Sequence, residues 1–160
     1  MTTPELKEKT ERGFITFLNS FLLYNKSNPP QAFIPDFFIS RNVYISFVCE
    51  LGLKALITKE NKEYNRIHKL DELFARLKEE NKKNLILCSG YNEEEFYTLL
   101  KDNNEHFIKF RYYFEFNSLK CDNKFLEMLL TAIAFTLLGT KTAIKIYQIN
   151  GYPIPDIEDI

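Results

Sequence analysis

Tryptophan is absent and histidine nearly so: the 160-residue chain carries two His, at positions 68 and 106. Two imidazoles leave no room for a His-rich metal site and give a nucleophile–His–acid triad little support. Cysteine is scarce and scattered, as Cys49, Cys88 and Cys121, with no CxxC pair and no Cys/His cluster. These read as free thiols in a reducing cytoplasm, with no metal and no cofactor called for. Only five glycines are present, and the phosphate- and dinucleotide-binding patterns GxxxxGKS/T and GxGxxG are missing, as are HExxH and GxSxG. Excess charge is lacking too. A net charge of −1 supplies no global field for DNA, RNA or an anionic membrane, so any nucleic-acid contact would have to be local. Arginine numbers five within a Lys-rich set of 21 basic residues, so each Arg stands out.

Long hydrophobic runs are missing as well. The opening "MTTPELKEKTERG" has no apolar stretch of the kind that directs secretion. The greasiest segment, "FLEMLLTAIAFTLLG" at 125–139, is interrupted by Glu127 and is short for a bilayer, so it reads as a buried core helix and not a membrane span.

What is present fits one folded domain over 1–160, with a core at about 4–140 and a tail at 141–160. Hydrophobic residues make up 45% and charged ones 27%, as expected of a packed chain. The pattern predicts an all-α fold, an antiparallel bundle of four to five helices with an extended C-terminal tail. Thr3-Pro4-Glu5 starts the first helix, with Phe14, Phe17, Leu18, Phe21 and Leu22 as its stripe. "NKSNPPQAFIPDFF" (25–38) reads as an irregular connection. A second helix is expected at about 39–58. A third carries Leu70, Leu73, Phe74 and Leu77 and ends near "EENKKN". "NLILC" fits strand or helix alike. Asn92 caps a short helix whose first turn holds Glu93, Glu94 and Glu95. Gly139 closes the last long helix, 123–140, and the Pro-containing, Ile/Tyr-alternating end reads as extended on the surface. In "HFIKFRYYFEF" (106–116) the alternating aromatics suggest a strand, but a lone strand has no partner, so a helix or tight aromatic turn is preferred.

The second helix is apolar nearly all round and should be central. Its exception is a polar seam, Ser46, Glu50 and Lys54. Exposed, a Glu-to-Lys pair four apart adds only about 0.2–0.5 kcal/mol. Buried, the two ions would need further partners. Three outcomes stay open: a wet edge, a buried structural network, or a functional pocket. The partners on offer are Arg111, His68, Arg66 and the tyrosines of "RYYFE". His68, next to a helix start, reads as a capping or hydrogen-bonding residue, and Arg111 as a buttress among aromatic rings.

"CELGLKALI" (49–57), a short polar loop and then "HKLDELFARL" resemble HEPN-like helical domains, in which an ExxxK helix precedes a His-Leu helix start. "FRYYFE" is similar to the Arg-Tyr-aromatic-Glu element ahead of their last helix. The resemblance covers roughly 40–140. It implies an all-α bundle that commonly pairs as a symmetric dimer, with links to RNA processing, toxin–antitoxin modules and antiviral defence. Ribonuclease members carry an Arg followed four to six residues later by His on a late helix. Here Arg111 is followed by "YYFEFNSL", and no His comes after His106. What the resemblance carries over is therefore a scaffold set: Glu50, Lys54, His68, Leu70, Arg111, Tyr112 and Glu115. Glu50 is expected to receive Arg111 or His68 and so to tie the second helix, the third and the aromatic segment into one polar knot, which can also line a ligand cleft. The favoured function is a non-catalytic HEPN-like domain acting as a homodimer or with a partner protein, with RNA or nucleotide contact. The alternatives are a metal-independent ribonuclease or nucleotide-acting enzyme with a noncanonical His/Arg site, and a purely structural cytoplasmic helical module.

Overall fold

A computed structural model describes residues 3–27, 35–64, 66–109, 112 and 122–154. Helices alone make up the regular structure of these residues: α1 (Thr3–Ser27), α2 (Pro35–Lys59), α3 (Leu70–Ala75), α4 (Glu79–Ser89), α5 (Glu93–Asp102), α6 (His106–Lys109), α7 (Asn123–Leu138) and α8 (Thr140–Ile149). The all-α expectation holds.

α1 and α2 form an antiparallel pair. Phe17 meets Phe47, Phe21 meets Tyr44, and Tyr24 meets both Tyr44 and Ser40, so one helix's numbering falls as the other's rises. α2 and α7 run in the same sense: Cys49 lies at the Leu126 carbonyl, Gly52 at Ile133, and Lys59 donates to the Leu137 carbonyl. α7 is the axle of the fold. It packs against α2, α4 and α8, and an unbroken run from Leu129 to Phe135 is buried. A helix apolar on nearly every face is stable only when it is enclosed.

Gly52 sits where α1, α2 and α7 meet. A Cβ there would stand 2.3 Å from Ile133 Cγ2 and 2.9 Å from a ring carbon of Phe14. The missing side chain is what lets the three helices close. Asn92 caps α5 as expected, accepting from the Glu95 amide at 2.9 Å. α4 is capped from outside: Glu60, just past α2, accepts from the Lys78 amide at 2.9 Å with each oxygen, from Asn81 Nδ2 at 2.6 Å and from Lys62 Nζ at 2.9 Å. Burial opposes ionisation of Glu60, but the Lys78 amide, Lys62 and Asn81 outweigh it and hold the carboxyl below its usual range.

Several local expectations are corrected. The tail is not extended through 149: α8 folds back on α7 after Gly139, which has φ 80°, and Tyr147 and Ala143 are buried. Spacing of three and four between Ala143, Tyr147 and Asn150 gives one inward face, which outweighs the Ile/Tyr alternation read as a strand. "EENKKN" opens α4 instead of closing the third helix, because Glu79 and Glu80 suit a positive helix start. "NLILC" is helix. The connection expected over 25–38 is shorter, since Asn25–Ser27 belong to α1 and Pro35–Phe38 to α2, where Pro occupies a first turn without losing a bond. Within 106–116, α6 covers His106–Lys109, while Phe110, Arg111 and 113–116 lie outside the described residues. No helix among the described residues is long and apolar enough to cross a membrane.

Candidate functional site

Ser46, Glu50 and Lys54 follow one another by single turns of α2, and the face they share is covered. Ser46 is fully buried, Glu50 is 2% exposed and the Lys54 side chain 12%. The wet-edge reading is thereby overturned. α3 and α6 pack on α2, and Tyr64 and His68 of the loop before α3 reach Lys54 and Glu50. That loop is pinned at its far end. The Leu70 amide donates to the Asn104 carbonyl at 3.1 Å, Asn104 Nδ2 donates to Asp71, and Lys69 pairs with Glu105 at 3.3 Å. On the α6 side, Phe107 stacks on Phe47 with ring centres 4.9 Å apart.

Glu50 Oε1 is the hub. Lys54 Nζ donates to it from 2.6 Å and His68 Nδ1 lies 2.9 Å away. A carboxylate can only accept, so the proton of the pair sits on Nδ1 and Nε2 is left as the second ring nitrogen of a side chain 48% exposed. The Lys54 ammonium also lies over the Tyr64 ring, 5.2 Å from its centre, a second favourable contact for a cation largely out of water. Glu50 Oε2 and Ser46 Oγ are buried without a hydrogen-bond partner among the described residues. The predicted knot is thus formed on its His68 side. Its other proposed arm, Arg111, and Glu115 lie outside the described residues. Tyr112 is described and is 46% exposed. His106, read as a loop residue, is buried at the start of α6.

A second polar cluster escaped the sequence reading. Arg41, 4% exposed, sends Nη2 to Glu127 Oε1 and Nε to Asn25 Oδ1 at 2.7 Å, and its guanidinium lies over the Phe21 ring at 5.9 Å. Asn25 Nδ2 then donates to the Tyr152 hydroxyl at 2.6 Å. Burial, and after it the charge of Glu127, push the Tyr152 phenol up. The signal was available: Glu127 is the lone acid in the greasiest helix, and such an acid needs a cation from elsewhere. α1, α2, α7 and the segment after α8 meet there, so the cluster is a clasp.

A family model described as HEPN domain matches residues 44–135, more than half of the chain, from the third turn of α2 through most of α7. The chain belongs to the HEPN-domain family. No curated protein and no solved structure matches it. The HEPN match contains the whole Glu50–Lys54–His68 cluster and the Glu127 end of the clasp, while Asn25, Arg41 and Tyr152 fall outside it. Within the HEPN core, α7 carries Lys124 and Glu127 as its only charges and neither Arg nor His.

Proposed function

We propose that this HEPN domain acts by association, as a homodimer or with a partner protein, and does not cut RNA. The observation that supports this reading is the charge content of α7, which has neither Arg nor His, together with the lack of any His after His106 in the sequence. An Arg–His pair on a late helix therefore has no second member here. Glu50, Lys54 and His68 serve as a brace in this reading, because a buried acid held by two partners fixes how the 62–69 loop seats on α2. A defence or toxin–antitoxin setting, with an RNA or nucleotide held by the assembled protein, completes the proposal.

One observation favours a second reading, a metal-independent nuclease or nucleotide-acting enzyme. A half-exposed imidazole whose Nδ1 is anchored by a buried carboxylate presents Nε2 as a general base. Purified protein incubated with bulk RNA in chelator, beside His68→Ala, separates the two. The association reading expects no cleavage by either protein, and its homodimer form a molar mass above the monomer by light scattering. Cleavage by the wild type that His68→Ala abolishes would replace it with the enzymatic reading.

A further inference from the structure

Five successive turns of α2 place a polar side chain on one slowly turning line. Asn42, Ser46, Glu50, Lys54 and Thr58 are spaced by four, and the row lies inside: all are buried except Lys54, which nearly is. An interior row of polar groups persists only where its hydrogen bonds are met. The ends of this row meet theirs. Asn42 Nδ2 donates to the Phe38 carbonyl at 2.8 Å, Thr58 Oγ1 to the Lys54 carbonyl at 2.8 Å, and Lys54 Nζ to Glu50 Oε1. In the middle, Ser46 Oγ and Glu50 Oε2 are buried with no hydrogen-bond partner among the described residues, and they belong to neighbouring turns.

Ser46 also departs from the habit of the other helical hydroxyls. Thr10, Thr16, Ser27, Thr58, Thr98 and Thr131 each donate to the carbonyl four residues earlier, at 2.8–3.0 Å. Ser46 makes no such bond to Asn42, so its proton is kept for something else. Side chains of a helix lean toward its N-terminus, which turns the Glu50 carboxyl back toward the turn that holds Ser46. The two Cα atoms stand about 6 Å apart along the axis. One water bonded to two oxygens at about 2.8 Å each joins atoms up to roughly 5.5 Å apart, a span that suits this spacing.

Charge selects the occupant. Glu50 and Lys54 already neutralise each other, so a metal or ammonium ion beside them would stand in the interior uncompensated. An anion has no proton to offer a carboxylate oxygen, which can only accept. A small neutral group that both donates and accepts fits the two oxygens, and where Ser46 has no exposed surface that group is water.

We infer that α2 holds a buried water between Ser46 Oγ and Glu50 Oε2, which donates to the carboxylate and accepts from the hydroxyl. It is a third partner for the hub carboxyl, after Lys54 and His68. One water replaces part of the hydration that Oε2 gives up, so burial of the carboxylate keeps a cost. The loop before α3 and α6 shut the water in, and it leaves only when that cover lifts. Its residence time therefore measures the opening that any ligand would need in order to reach Glu50.

Two measurements on the full chain test it. A crystal structure that orders internal waters is expected to show density within hydrogen-bond distance of both Ser46 Oγ and Glu50 Oε2. Oxygen-17 relaxation in solution counts waters held longer than about a microsecond. Ser46→Thr and Ser46→Val have the same shape and differ in the hydroxyl, so the Thr protein is expected to keep this water and the Val protein to hold one fewer. Equal counts in the two variants overturn the inference. So does a wild-type crystal in which Ser46 Oγ donates to the Asn42 carbonyl and Oε2 is dry, or in which a metal ion occupies the seam. Oligomeric state and RNA cleavage have no bearing on these outcomes, so the inference and the association reading fail separately.

Discussion

Glu50→Ala probes the brace most directly. The substitution removes two charge-assisted hydrogen bonds, each worth about 1.5–3 kcal/mol. Two effects reduce the sum. The His68 side chain is 48% exposed and recovers water, and Lys54 at 12% recovers some of it. Oε2, buried with no partner among the described residues, also leaves the interior with its carboxylate, returning about 1–3 kcal/mol of desolvation. The net loss is about 2–3 kcal/mol, which for a chain of this length lowers Tm by roughly 5–10 °C. Circular-dichroism melts and urea titrations at neutral pH read it. His68→Ala, at the exposed end, is expected to lose less than about 1 kcal/mol. Replacing both ions, as Glu50→Leu/Lys54→Met, is expected to recover most of what Glu50→Ala loses, because no charge is stranded. A Glu50→Ala protein melting within about 2 °C of wild type, with an unchanged urea slope, would refute the burial argument.

Gly52→Ala is expected to destabilise by about 1–3 kcal/mol despite the better helix propensity of Ala, since the new methyl meets Ile133 and Phe14; a melt at or above wild type would show that the helices spread freely. Glu60, held below its usual range, contributes stability above pH about 4.5. That contribution disappears as pH falls through its folded value, so Glu60→Gln should differ from wild type at neutral pH and converge with it in acid. Burial pushes the Cys49 thiol far up, so in the native protein it should resist a thiol reagent that labels it readily in denaturant, which mass mapping of the modified peptide decides.

The helical class and the central place of α2 were legible because an apolar surface of nearly full circumference can be stable only inside. The Glu50–His68 contact was legible as one of a few partners for a lone acid. Whether the seam was covered was not, because the spacing of Ser46, Glu50 and Lys54 is the same under a loop as under water. That cover depends on Leu70 bonding to Asn104 and on Phe107 meeting Phe47, contacts that no local pattern encodes. Arg41 was overlooked for a related reason: it lies 86 positions from Glu127, and "SRN" looks like any polar helix start. In α8 two local signals conflicted, alternating Ile/Tyr and the inward spacing of Ala143 and Tyr147, and packing on α7 decided between them.

The clasp bears on synthesis. Asn25 waits for Tyr152, 127 positions later, and Asn19 for Asn150, 131 positions later. Until both late residues have been made, Asn19 and Asn25 lack these partners, although Arg41 already has Asn25 and, once α7 is formed, Glu127. Closure of this bundle therefore waits for α8 and the turn after it, and a nascent chain stalled after α7 would leave the face that α8 covers open to whatever chaperone or protease meets it first.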